Sequence, residues 1–294
     1  MTTPRLDQEE YIEQAYFFKT FRERLDDNMS AQEILKTIHE EILSTTKLPM
    51  ALEFLCGELQ LKGKISEGMA RLSHYFTAFQ TFVMARAEDE RSRFDQRIAL
   101  EILAKEAEYR AQDPPPAGMF IYQFECIARN RLGYDEGFKA MAADPVYDEA
   151  WRQWIDRSRR LLGTVDFADL LYVRSEYAVQ ERRRKTGDPN YKPPYPVLFG
   201  IKEGRIAKAH RGKDPLYMFA ALQRHLGYPA VPRQKRKPDS LNLHPLLEQR
   251  LQRIEQSIKV LQMEVRGDVD LSEFYVQQDQ KPDFSKFDDP ELNR

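Results

Sequence analysis

Apolar residues recur three and four positions apart through most of residues 6–185, and between Ala70 and Gln112 neither glycine nor proline interrupts them. A period near 3.6 puts such residues on one face of a helix, so this part of the chain reads as a succession of amphipathic helices. Ala31, Ile34, Leu35, Ile38 and Ile42 form one stripe, and Ser30 with Glu33 supplies a capping box ahead of it. Leu52, Leu55, Cys56 and Leu59 repeat the pattern, as do Trp151, Trp154, Ile155, Ser158 and Leu162 before Gly163 closes that helix. The uninterrupted stretch predicts one or two long helices through Tyr75, Phe79, Phe82, Phe94, Ile98 and Ile102. Asp113-Pro114-Pro115-Pro116 then stops propagation, because proline fixes φ and removes the backbone donor, and it reads as a rigid corner between helices. A helix-turn-helix pair follows around Ala143-Asp144-Pro145.

The character changes after Arg182-Arg183-Arg184-Lys185, at Gly187-Asp188-Pro189. Tyr191-Lys192-Pro193-Pro194-Tyr195-Pro196 favours extended geometry. Residues 197–201 and 205–209 read as two short strands joined across Lys202-Glu203-Gly204, with Gly204 supplying a positive φ and Val197, Phe199, Ile201 and Ile206 packing onto the helical body. Asp214 is placed to N-cap a helix that has Pro215 in its first turn, buries Leu216, Phe219 and Leu222, and ends at Gly227. Leu247, Leu251, Ile254, Ile258, Leu261 and Val265 then follow a heptad seam, which fits a homodimer or an intramolecular antiparallel pair. The expected fold class is mainly α: a multi-helix bundle or helical array with one small β-hairpin module and a C-terminal heptad helix. Its expected divisions are a helical body (1–186), a basic hairpin-plus-helix module (187–237), the heptad helix (238–266) and an acidic, flexible tail (267–294).

Several function classes find no support in the residues. The first five residues lead into an amphipathic segment without a secretory signal, and no run approaches the roughly 18 apolar residues that span a bilayer, so the cytoplasm is the expected location. Cys56 and Cys126 read as reduced core thiols. A carboxylate-bridged metal site needs Glu-x-x-His, yet Lys36, Arg71, Ala207, Leu222 and Leu241 stand three residues before the five histidines. Arg211-Gly212-Lys213-Asp214 contains the Gly-Lys of a phosphate loop but has Asp where Ser or Thr must follow and Ala207 where the leading glycine belongs. Tyr75, Phe76, Phe79 and Phe82, at helical spacing, read as core. Neither a metal, a cofactor nor a catalytic set is expected, although a site gathered from distant residues stays open.

Charge is the remaining signal. The chain carries a net −2, but residues 181–237 hold eight arginines and seven lysines against Glu181, Asp188, Glu203 and Asp214, a net +11 that leaves −13 for the rest. Lys202, Arg205, Lys208, Arg211, Lys213, Arg233, Lys235, Arg236 and Lys237 are therefore the candidate anion-binding residues. On a strand, Arg205 and Lys208 would point to opposite faces. The helix N-terminus near Pro215 would add amides for a phosphate, and Tyr191, Tyr195, Tyr217 and Tyr228 would offer stacking faces. The expectation is a noncatalytic cytoplasmic binding or scaffold protein whose basic module engages an anionic macromolecule, nucleic acid foremost. One alternative is an adaptor whose basic module is neutralised internally by the acidic body, net −8 through Gln180. The other is an enzyme acting on an anionic substrate.

Overall fold

The computed structural model describes residues 5–42, 45–89, 91–92 and 94–233. Among the described residues there are thirteen helices and no strand, only two single β-bridges, Leu162 to Val165 and Ser175 to Phe199. No helix among them is long and apolar enough to cross a membrane. The heptad seam from Leu247 to Val265, the acidic tail, and Lys235, Arg236 and Lys237 lie outside the described residues.

The first six helices are α1 (Gln8–Asp26), α2 (Ala31–Glu41), α3 (Leu48–Lys62), α4 (Ile65–Arg71), α5 (Ala78–Glu88) and α6 (Gln96–Arg110). α1 lies along α6, and α2 packs on α3. Phe17, Phe18 and Phe21 of α1 are buried together with Phe76 and Phe79, which settles that aromatic series as core. The glycine-free stretch yields α5 and α6 rather than one continuous helix. Side-chain caps divide it: Thr77 and Gln80 form a reciprocal capping box, and Asp95 accepts from Arg97 N at 2.8 Å. Carboxylates from other helices cap two more N-termini, as Glu10 accepts from Lys47 N at 3.0 Å and Glu88 from Ile65 N at 2.6 Å.

The remaining helices are α7 (Pro116–Asn130), α8 (Tyr134–Ala142), α9 (Glu149–Leu161), α10 (Phe167–Val173), α11 (Glu176–Thr186), α12 (Ile201–Ala209) and α13 (Pro215–Leu226). The three prolines make the expected corner, with Pro116 opening α7. Phe120 of α7 centres an aromatic cluster: its ring centroid lies 4.7 Å from Trp154, 6.3 Å from Phe167 and 6.2 Å from Phe199. Beside it a buried polar network ties α6 and α7 to the α8–α9 turn. Arg110 donates to Glu106 at 2.7 Å and to Asp144 at 3.1 Å, Gln123 donates to Asp144 at 2.9 Å, and Tyr147 donates to Gln123 at 2.7 Å. In α13, Asp214 caps Leu216 N at 2.9 Å and Gly227 ends the helix at φ 71°; Phe219 and Leu222 are buried, whereas Leu216 is exposed.

The hairpin expected at 197–209 does not form. Residues 201–209 are α12, and Gly204 sits inside it without a positive φ. The reason is packing: Gly204 and Ala207, three apart, form the buried side of α12, and a Cβ on Gly204 would stand 2.1 Å from Ser175 Oγ at the start of α11. Of the first expected strand, only Phe199 pairs, with Ser175. Residues on both sides of 187 belong to one contact unit, Met1–Gln234.

Candidate anion-binding surface

The extended residues between α11 and α12 are pinned at the joint of α10 and α11. Leu198 N and Phe199 N donate to Arg174 O at 2.9 and 3.1 Å, and Glu176 N donates to Phe199 O at 2.9 Å. With the Phe199 ring sunk among Trp151, Trp154 and Phe120, the start of α12 is fixed, and α12 lies against α10 and α11.

This geometry gathers what a hairpin would have separated. Lys202, Arg205 and Lys208 fall three residues apart on one helix, so they share a face that Arg211 continues just past the C-terminus. Lys202 and Arg205 are exposed, and the Arg205 guanidinium lies 5.7 Å from the centre of the Tyr177 ring. Lys208 faces the same ring at 5.6 Å and pairs with Glu181. Arg211 lies 4.0 Å from the Tyr172 ring and 2.5 Å from Asp169. On the α11 side Arg182 lies 5.7 Å from Tyr191, Arg183 pairs with Glu176 at 3.6 Å, and Arg184 and Lys185 are exposed. A shallow hollow of about 530 Å³ lined by Gln180, Arg183, Arg184, Gly187 and Pro189 extends this surface.

A tyrosine face holds a cation in place without cancelling its charge, so Arg205 on Tyr177 keeps its charge, whereas Lys208 and Arg211 also meet carboxylates. Lys208 and the Tyr172 hydroxyl, donating at 2.6 Å, pull the Glu181 carboxyl down to about 2. Burial and that acceptor push Tyr172 up to about 12.

The expected residues do not all converge. Lys213 is exposed without an ion pair among the described residues, and so is Arg233, beyond α13. The N-terminus of α13 is a poor phosphate seat, because Asp214 already caps it and Gly212 N donates to Asp166 at 2.8 Å. Of the expected stacking rings, Tyr228 is buried and donates to Glu125 at 2.6 Å, while Tyr191 and Tyr195 each carry a guanidinium. Only Tyr217 of that set, 68% exposed, presents an open ring. Tyr172 and Tyr177, the rings that organise the surface, were not expected; their signal was the three-residue spacing of the cations opposite small Gly204 and Ala207.

Between Arg182 and Arg233 the described chain has twelve lysines and arginines. Arg183, Lys208 and Arg211 pair with carboxylates, and the other nine make no ion pair with a described residue. No family model, curated protein or solved structure matches this chain.

Proposed function

We propose that this protein is a noncatalytic binding or scaffold protein whose basic surface, built on α11, α12 and the turn after α12, engages an anionic macromolecule, with nucleic acid as the first candidate. The observation that carries the reading is the pairing pattern: nine of the twelve cations lack a described carboxylate partner. Like charges on one face repel, and a polyanion relieves that repulsion while releasing its condensed counterions. Internal neutralisation, the adaptor alternative, calls for the opposite pattern. The Tyr177 ring beneath Arg205 supports the reading further, because an unpaired guanidinium stacked in place loses less freedom on meeting a phosphate.

The test is purification without nuclease, the 260/280 absorbance ratio, and salt titration of binding to random single- and double-stranded oligonucleotides. About five phosphate contacts give a log–log salt slope of roughly −4 to −5 on duplex DNA. Clean protein that binds neither oligonucleotide at low salt overturns the proposal and moves the search to protein partners.

A further inference from the structure

A smaller hollow of about 200 Å³ lies between α9, α10 and Tyr195 of the extended segment, apart from the cation stripe of α12. Its walls are apolar, with Trp154, Leu161, Leu170 and Val173 among them. Two guanidiniums also line it. Arg174 is half-buried, donates one hydrogen bond to Pro196 O at 3.3 Å, and lies 4.6 Å from the centre of the Tyr195 ring. Arg157, one turn before Leu161, is exposed. Neither makes an ion pair among the described residues, and the carboxylate at the rim, Asp169, is engaged by Arg211 at 2.5 Å. Burial first, then the charge of Arg157, pulls the Arg174 pKa below the usual guanidinium value, and Tyr195 offsets them only in part.

One more group lines the hollow without a partner. Ser158 is 1% exposed and its hydroxyl makes no hydrogen bond, not even to the carbonyl one turn back that a helical serine ordinarily uses. A half-buried cation without a counter-ion carries a desolvation cost that an anionic ligand can offset. A guanidinium fork matches a carboxylate through two parallel bonds, and stacking on Tyr195 holds Arg174 in one orientation for it. The volume is that of about six or seven water-sized groups, enough for a branched aliphatic or phenyl body.

We infer that the hollow between α9 and α10 is a binding site for a small organic carboxylate with a compact apolar body, its anionic head on Arg157 and Arg174 and its body against Trp154. The site does not depend on the polyanion reading, since it shares no cation with the stripe of α12.

Tryptophan fluorescence of the full chain reads it, because Trp154 forms part of the wall. Butyrate, 4-methylpentanoate and 3-phenylpropionate are titrated at fixed ionic strength, each beside its neutral amide. The expected result is saturable binding of at least one acid below about 10 mM, with its amide at least about tenfold weaker. Arg157→Gln, at an exposed position that leaves the fold intact, weakens the acid about tenfold and leaves the amide unchanged. Arg174→Gln does the same, checked by an unaltered circular dichroism spectrum. Equal affinity for acid and amide, retained acid binding in Arg157→Gln, or no saturation across the series overturns the inference.

Discussion

Alanine at position 204 separates a packed α12 from any looser arrangement of the cation stripe. The added Cβ would stand 2.1 Å from Ser175 Oγ, 2.5 Å from Ser175 Cβ and 2.8 Å from Tyr177 Cβ. Ser175 Oγ cannot simply rotate away, because it donates to Tyr172 O at 2.6 Å and accepts from Ala178 N as the cap of α11. The two Cβ atoms move only with the backbone, so α12 must shift by about 1 Å to restore ordinary contact, a strain in the range of about 1–3 kcal/mol. Disturbing the Ser175 cap adds about 1 kcal/mol, and the better helix propensity of alanine returns about 1 kcal/mol, leaving a net loss near 2 kcal/mol. Gly57 in α3 is the internal control: nothing lies within 4 Å of its added Cβ, so Gly57→Ala gains about 0.5–1 kcal/mol. By differential scanning calorimetry, Gly204→Ala lowers Tm by about 4–8 °C, and Gly57→Ala raises it by about 1–4 °C. A Gly204→Ala protein as stable as wild type, or stabilised like Gly57→Ala, refutes the packing of α12 on α11.

Arg110→Met strands two buried carboxylates, Glu106 and Asp144, and costs about 3–5 kcal/mol by urea denaturation; a loss under about 1 kcal/mol contradicts the network described. Tyr228→Phe removes the hydroxyl that donates to buried Glu125 at 2.6 Å, for a loss of about 1–3 kcal/mol in the same assay. Glu181, held at about 2 in the folded protein against an ordinary value of 4.5, stabilises the fold fully above 4.5 and loses that contribution as pH falls toward 2. The Tm gap between wild type and Glu181→Gln therefore closes over that window, and a gap that widens on acidification contradicts the pairing with Lys208.

Legibility in the sequence followed how local each cause is. α2, α9 and α13 were readable because Ser30, Gly163, Asp214 and Gly227 mark their ends within a few residues of the apolar stripe. α12 was misread because its glycine serves a distant neighbour: Gly204 is small to admit Ser175, twenty-nine positions earlier, whereas locally a glycine between two short apolar runs resembles a turn. That error hid the best property of the site, since three cations at a spacing of three share a face only on a helix. Whether the glycine-free stretch holds one helix or two stayed open for a related reason, as the side-chain caps Thr77 and Asp95 start α5 and α6 without glycine or proline. The charge excess itself was plain, but which cations lack partners depends on where Glu176, Glu181 and Asp169 fall in space.

The central claim, that the α12 face is where a polyanion binds, is tested most directly by comparing two triple variants of equal charge. Arg184→Gln, Lys202→Gln and Arg205→Gln strip the surface, while Lys19→Gln, Lys36→Gln and Lys64→Gln remove three exposed cations from α1, α2 and the start of α4. Oligonucleotide affinity is measured by fluorescence anisotropy across a salt series. The account predicts a log–log slope shallower by about 2–3 in the first variant and unchanged in the second. Equal shifts in both variants, or none in the first, would contradict it.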